Sequence, residues 1–160
     1  MFRRLIIAFV LVLLSTLSYG QYRVFAGNGY TLTHQVLHSS NGRLYPGFSL
    51  NFNDALATVV GNEIMAGPSG SIFDLVFTFK DNKVYRGNAM YTSQIAYTLG
   101  ENGKIYEGDS TFELDVLYNV KNGVIYNGAH SHPSDAIFFI EGPHSAIDLF
   151  AILFSLELIR

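Results

Sequence analysis

The chain contains no cysteine. Disulfides, thiolate zinc sites and cysteine nucleophiles are therefore excluded, and the fold must be held by its core and backbone pairing alone. Charge is sparse too. Charged residues make up 14% of 160 positions, the formal net charge is −3, and no basic run occurs. Nucleic-acid binding needs a concentrated positive footprint, so no nucleic-acid partner is expected. A nucleophile elbow, a glycine-rich phosphate loop and a zinc-protease motif are all missing as well. Carboxylates recur only at periodic positions, whereas an active site needs a few unlike groups that converge. The reading is non-enzymatic, with no cofactor.

Long apolar runs are also lacking. The longest, Leu5 to Leu14, has ten residues, against roughly 20 for a helix that crosses a bilayer. Arg3 and Arg4 precede it, and Ser18-Tyr19-Gly20 follows with small residues at the −3 and −1 positions of a cleavage site. Residues 1–20 are thus expected to be a signal peptide. The chain is then secreted or extracytoplasmic, in the periplasm or at the cell surface, and not membrane-spanning after cleavage. Loss of the two arginines makes the remainder more acidic.

What is present is a repeat. Val24-Phe25-Ala26-Gly27, Leu44-Tyr45-Pro46-Gly47, Ile64-Met65-Ala66-Gly67, Val84-Tyr85-Arg86-Gly87, Ile105-Tyr106-Glu107-Gly108 and Ile125-Tyr126-Asn127-Gly128 share one pattern. A large apolar residue is followed usually by an aromatic, then any residue, then glycine. The step is twenty residues, with one insertion placed in Gly100-Glu101-Asn102-Gly103. A second segment recurs in register, as in Asp74-Leu75-Val76-Phe77-Thr78-Phe79 and Asp115-Val116-Leu117-Tyr118-Asn119-Val120. Its period-two alternation of apolar residues is a strand signal. Asn41-Gly42, Asp81-Asn82, Asn102-Gly103 and Asn122-Gly123 occupy one place in four units, and such pairs favour the positive φ of tight turns.

An all-β domain of about six repeats over residues 21–142 follows, and two arrangements fit it. In a β-solenoid each unit is one coil and equivalent residues stack about 4.8 Å apart. In an antiparallel meander each unit is a pair of strands. The stretch Asn102-Gly103-Lys104-Ile105-Tyr106-Glu107-Gly108, with looser copies starting at Asn41 and Asn82, resembles the N-G-x-x-Y-x-G segment of MORN repeats. That resemblance implies the hairpin reading, as an open meander or a closed barrel. Burial favours the solenoid, because a single-layer meander leaves its apolar face wet unless it closes or is covered.

After Glu141-Gly142-Pro143 the pattern changes. Ser145 and Asp148 form a helix-start signature, and Ala146 to Ile159 is largely apolar, with Asp148, Ala151 and Ser155 on one narrow stripe. Residues 143–160 are expected to be a capping helix at one end of the stack. A helix lying on a membrane would want lysines on its polar face, and this one has none.

Three sets of residues are candidates for chemistry. An acidic column comprises His34, Asp54, Asp74, Gln94, Asp115 and Asp135, and each Asp is expected to bond locally at a bend. His130 and His132 lie two apart, but Pro133 follows and no third metal ligand can be placed, so no metal is assigned. The aromatic column contains Tyr45, Tyr85, Tyr106 and Tyr126, the ligand-binding candidates should it face solvent. The expected function is a structural or adhesive role at the cell surface. The alternatives are a carbohydrate- or protein-binding module using the tyrosines, or a fibre subunit self-associating through strand edges.

Overall fold

A computed structural model of the chain describes residues 21–29 and 31–160. The expected signal peptide, residues 1–20, lies outside the described residues. Twelve strands follow in pairs: β1 (Arg23–Ala26) and β2 (Gln35–Ser40), β3 (Arg43–Pro46) and β4 (Ala57–Val60), β5 (Glu63–Ala66) and β6 (Leu75–Lys80). The second half continues with β7 (Lys83–Arg86) and β8 (Ile95–Leu99), β9 (Lys104–Glu107) and β10 (Val116–Lys121), β11 (Val124–Asn127) and β12 (Ala136–Glu141). An α-helix, α1 (Ala146–Ser155), follows β12.

The strands form an antiparallel meander that closes into a barrel when β12 pairs with β1, with Val24 opposite Ile140 and Phe25 opposite Phe139. The solenoid expectation is therefore corrected to its alternative, the closed barrel. The physical reason is in the turns. Asn41-Gly42, Asp81-Asn82 and Asn122-Gly123 carry positive φ at both residues, as two-residue hairpin turns require. They reverse the chain within the sheet, whereas a solenoid corner would carry it on to the next coil. The inserted residue is absorbed in the turn at Gly100–Gly103, where Gly100 N–H donates to Lys104 O and Gly103 N–H to Gly100 O. Closure also removes the free strand edges that edge-to-edge self-association needs.

The first apolar residue of each unit points into the barrel. Val24, Leu44, Ile64, Val84, Ile105 and Ile125 are all buried in one core, together with Leu37, Phe77 and Ile140 from the intervening strands. The alternation read from sequence breaks at five β-bulges. Ile64 pairs with Phe77 but Met65 with Leu75, so Val76 is skipped. Val36, Ala96, Leu117 and Ile137 are skipped in the same way. Each of these residues is apolar and belongs to or packs against the core, so the bulge adds an inward side chain while bending the strand toward its loop.

Twelve strands about 4.8 Å apart enclose a backbone radius of roughly 9–12 Å once tilted, more than side chains alone fill. The helix fills it. Residues Leu149 to Leu153 of α1 are buried in the same core as the inward strand residues. Phe150 contacts Phe79 of β6 and Tyr97 of β8, and Phe154 contacts Phe77. The helix lies closest to β4, where Ala57 leaves room for it. On the far side long tyrosines reach across: Tyr118 Oη donates to Leu158 O at 3.0 Å and Tyr97 Oη to Arg160 O at 3.1 Å. The expected end cap is thus a plug along the lumen. Its start is the capping box expected from sequence, with Ser145 and Asp148 bonded reciprocally. It stops at Ser155, earlier than expected, because Glu157 takes a left-handed φ of 57°. Leu158 N–H then bonds Leu153 O and Glu157 N–H bonds Phe154 O, a Schellman ending.

Candidate functional site

Every odd-to-even connection leaves its strand through the repeat glycine, whose φ is positive in all six units. The chain there turns back over the outside of the barrel and enters a short 3-10 turn before the next strand. The fold-back is pinned from beneath. Thr58, Thr78 and Thr98 donate their hydroxyls to Gly67, Gly87 and Gly108 carbonyls at 2.7 Å. Asn119 reaches Ala129 O, and His38 Nδ1 bonds Gly47 O at 2.8 Å. The loops therefore form an outer layer around one end of the barrel.

That layer decides the fate of the tyrosines. Tyr45, Tyr85, Tyr106 and Tyr126 face outward, each paired across the sheet with His38, Thr78, Thr98 and Asn119. Neighbouring members are two strands apart, about 9.6 Å, so they form no close stack. Tyr45 and Tyr106 are buried, while Tyr85 and Tyr126 are partly so. Tyr45 stacks on His38 with ring centroids 5.5 Å apart. The column packs the outer layer to the barrel and presents no continuous open stripe.

The acidic column sits at the ends of the 3-10 turns, just before each even strand. Ser49, Ser69 and Ser110 donate hydroxyls to Asp54, Asp74 and Asp115, and each serine accepts a backbone N–H two residues on. These carboxylates are engaged as local braces. His130 and His132 lie in the exposed β11–β12 loop, where His132 caps the turn at Pro133–Asp135. Among the described residues no three His, Cys, Asp or Glu side chains are grouped as metal ligands.

Two features remain that the sequence did not single out. The first is an apolar collar. Leu114 is 98% exposed, Phe73 95%, Leu50 79% and Phe112 75%, joined by Tyr91, Phe48, Met90, Ile72, Phe52, Leu56 and Leu32. All belong to odd-to-even connections, so all lie at the loop end of the barrel; among the described residues, Val60 is the one exposed large apolar residue elsewhere. The opposite end, built of hairpin turns, carries Asn, Gly, Lys, Asp and Glu. Cationic side chains anchor the loops. Lys83 pairs with Asp109 at 2.5 Å, and that hydrogen bond pushes the ammonium pKa up. Lys104 pairs with Glu113, and Arg43 bonds Pro68 O while lying 4.8 Å over the Phe52 ring. The collar is thus presented on braced loops.

The second is a groove of about 550 Å³ on the outer face, lined by Gln21, Tyr22, Arg23, Gln35, His38, Ser39, Phe48 and Leu50. Here the sixfold pattern breaks. Gln35 stands where other units have Ala55, Leu75, Ile95, Val116 or Ala136, and His38 where three units have threonine. Gln35 Nε2 and His38 Nδ1 both donate to Gly47 O, at 2.6 and 2.8 Å. That leaves Gln35 Oε1 and His38 Nε2 buried and without partners. Comparing unit one position by position with the others would have found both residues in the sequence. At the groove's inner edge Tyr22 is desolvated and hydrogen-bonded to Asp148 of α1, which together raise its pKa strongly.

A family model described as a 6-fold beta flower protein matches residues 24–153, a span running from β1 into α1. No curated protein and no solved structure matches the chain.

Proposed function

The chain belongs to the 6-fold beta flower family, and we propose that within that fold it serves as a non-enzymatic, exported adhesive module that docks through its apolar collar at a cell surface. The one-sided distribution of exposed apolar side chains carries this reading. Leaving a large apolar side chain in water forgoes about 1.5–3 kcal/mol. The six most exposed members therefore hold on the order of 10 kcal/mol before the costs of association are met. A surface with that content marks an interaction site more often than it is accidental.

Other features support a display role. The lumen is filled by α1, so the barrel offers no passage for a solute. Its strands have four to six residues, against about 9–11 for a strand that spans a bilayer, and no helix among the described residues is long and apolar enough to cross one. A plugged, closed barrel is a rigid stand from which braced loops project. Export matters to the reading because the collar would otherwise meet cytoplasmic proteins.

The test is to follow the protein between cell-bound and released fractions in the cells that make it. The natural chain is expected in the bound fraction. A variant with Phe73→Ser, Phe112→Ser and Leu114→Ser should move to the released fraction with its circular dichroism unchanged. An unchanged partition would refute docking through the collar.

A further inference from the structure

The groove in the first unit shares Phe48 and Leu50 with the collar and adds a polar wall of its own, Gln35 and His38. We infer that it is a saccharide-binding site, in which sugar hydroxyls donate to Gln35 Oε1 and His38 Nε2 while an apolar sugar face rests against Phe48.

The shared carbonyl fixes how both side chains are turned. Gly47 O can only accept, so the Gln35 amide must turn its NH2 toward it and His38 must carry its proton on Nδ1. Both remaining atoms are then acceptors, on two groove-lining side chains that share one anchor. Buried and unpartnered, each carries a desolvation cost that no hydrogen bond offsets. Three other units avoid that cost with an aliphatic residue and a threonine at these positions, so the fold does not require it. A ligand that brings two neighbouring donors would relieve it.

The charge and shape of the groove narrow the ligand class. Arg23 lines it but is held by Glu141 at 2.6 Å and lies over the Phe25 ring, so its charge is already met. Among the described residues no carboxylate lines the groove to meet a cationic amine. A neutral ligand rich in hydroxyl donors is left. Phe48 and Leu50 at the rim are largely exposed, an aromatic and an aliphatic surface suited to the C–H face of a sugar ring. The volume falls within the range of about 300–1,000 Å³ usual for small-molecule sites.

The experiment takes the purified protein over an array of immobilised neutral mono- and oligosaccharides, then titrates the best binder by calorimetry. Binding to at least one saccharide is expected. The double change Gln35→Leu with His38→Thr installs residues that unit three already uses at these positions (Leu75 and Thr78), so the fold should keep or gain thermal stability while affinity falls at least tenfold. Phe48→Ala, at an exposed site, should weaken binding several-fold without touching the fold. The collar variant Phe73→Ser with Leu114→Ser should bind saccharide normally, which separates this site from the adhesive reading. Absence of binding to every saccharide, or equal binding by the double variant, would overturn the assignment, as would a preference for charged ligands.

Discussion

Truncating Phe150 tests whether α1 fills the barrel or merely covers it. The ring is fully buried, with Phe79 and Tyr97 ring centroids at 5.8 and 6.5 Å. Phe150→Ala removes the whole ring from a closed lumen whose walls, pinned by strand pairing on both sides, have little freedom to collapse. Such substitutions cost about 3–5 kcal/mol, and about 4 kcal/mol is expected here. Ala is the better helix former, so the loss cannot come from helix propensity. Against a usual total of about 5–15 kcal/mol, the change takes a quarter or more of the stability. For a domain near this size it lowers Tm by about 12 °C. Urea unfolding followed by circular dichroism measures it, with Phe73→Ala as the comparison. Phe73 is 95% exposed, so the same truncation there should shift stability by less than about 0.5 kcal/mol. Equal losses in the two variants, or a loss below about 1 kcal/mol for Phe150→Ala, would refute a lumenal helix.

Three further outcomes follow from the same geometry. Thr78→Val keeps the shape but removes the hydroxyl that pins the Gly87 carbonyl, and should cost about 1–2 kcal/mol in chemical denaturation. Gly123→Ala forces an L side chain to φ +77° with its Cβ 2.8 Å from Ile140 O. It should lose at least about 2 kcal/mol, whereas Gly87→Ala, strained in φ but facing open space, should lose about 1 kcal/mol. Tyr22 has a raised pKa from burial and from Asp148, so the folded state holds its proton where the unfolded state releases it. Its contribution is intact below about pH 10, the ordinary tyrosine value, and is lost as pH rises above it. Tyr22→Phe should therefore flatten the alkaline loss of stability measured by denaturation at pH 8 to 11.

Much of the local structure was legible because it is fixed locally. The apolar-aromatic-x-Gly motif marked each odd strand, and the repeat glycine is where φ turns positive. Asn-Gly marked the hairpins, and Ser145 with Asp148 marked the helix start. What stayed hidden depends on contacts far apart in the chain. Solenoid and meander share one sequence period, and an open meander differs from a closed barrel only in whether Phe25 meets Phe139. The helix held a clue that the capping reading passed over. A cap needs one apolar face, whereas α1 is apolar nearly all round, the signature of a helix surrounded by protein. The bulges were masked because Leu75-Val76 and its counterparts are adjacent apolar residues that fit either face. The tyrosines recur at one place in the repeat, but their covering by folded-back loops depends on the threonine bonds beneath those loops. The groove residues Gln35 and His38 lay in the one even strand whose alternation is weakest, so their departure from the pattern did not stand out.

Closure of the barrel through β1 and β12 is the claim on which the lumen, the collar and the groove all depend. Because the chain has no cysteine of its own, two introduced thiols can form only one internal disulfide. Phe25→Cys with Phe139→Cys places them on directly paired residues. Mild oxidation of this variant should give a rapid internal disulfide, seen by mass and by mobility without reductant. Phe25→Cys with Tyr85→Cys, whose strands β1 and β7 lie on opposite sides of the barrel, should give none. Failure of the first pair to bond while both thiols react freely with an alkylating reagent would contradict the closed barrel.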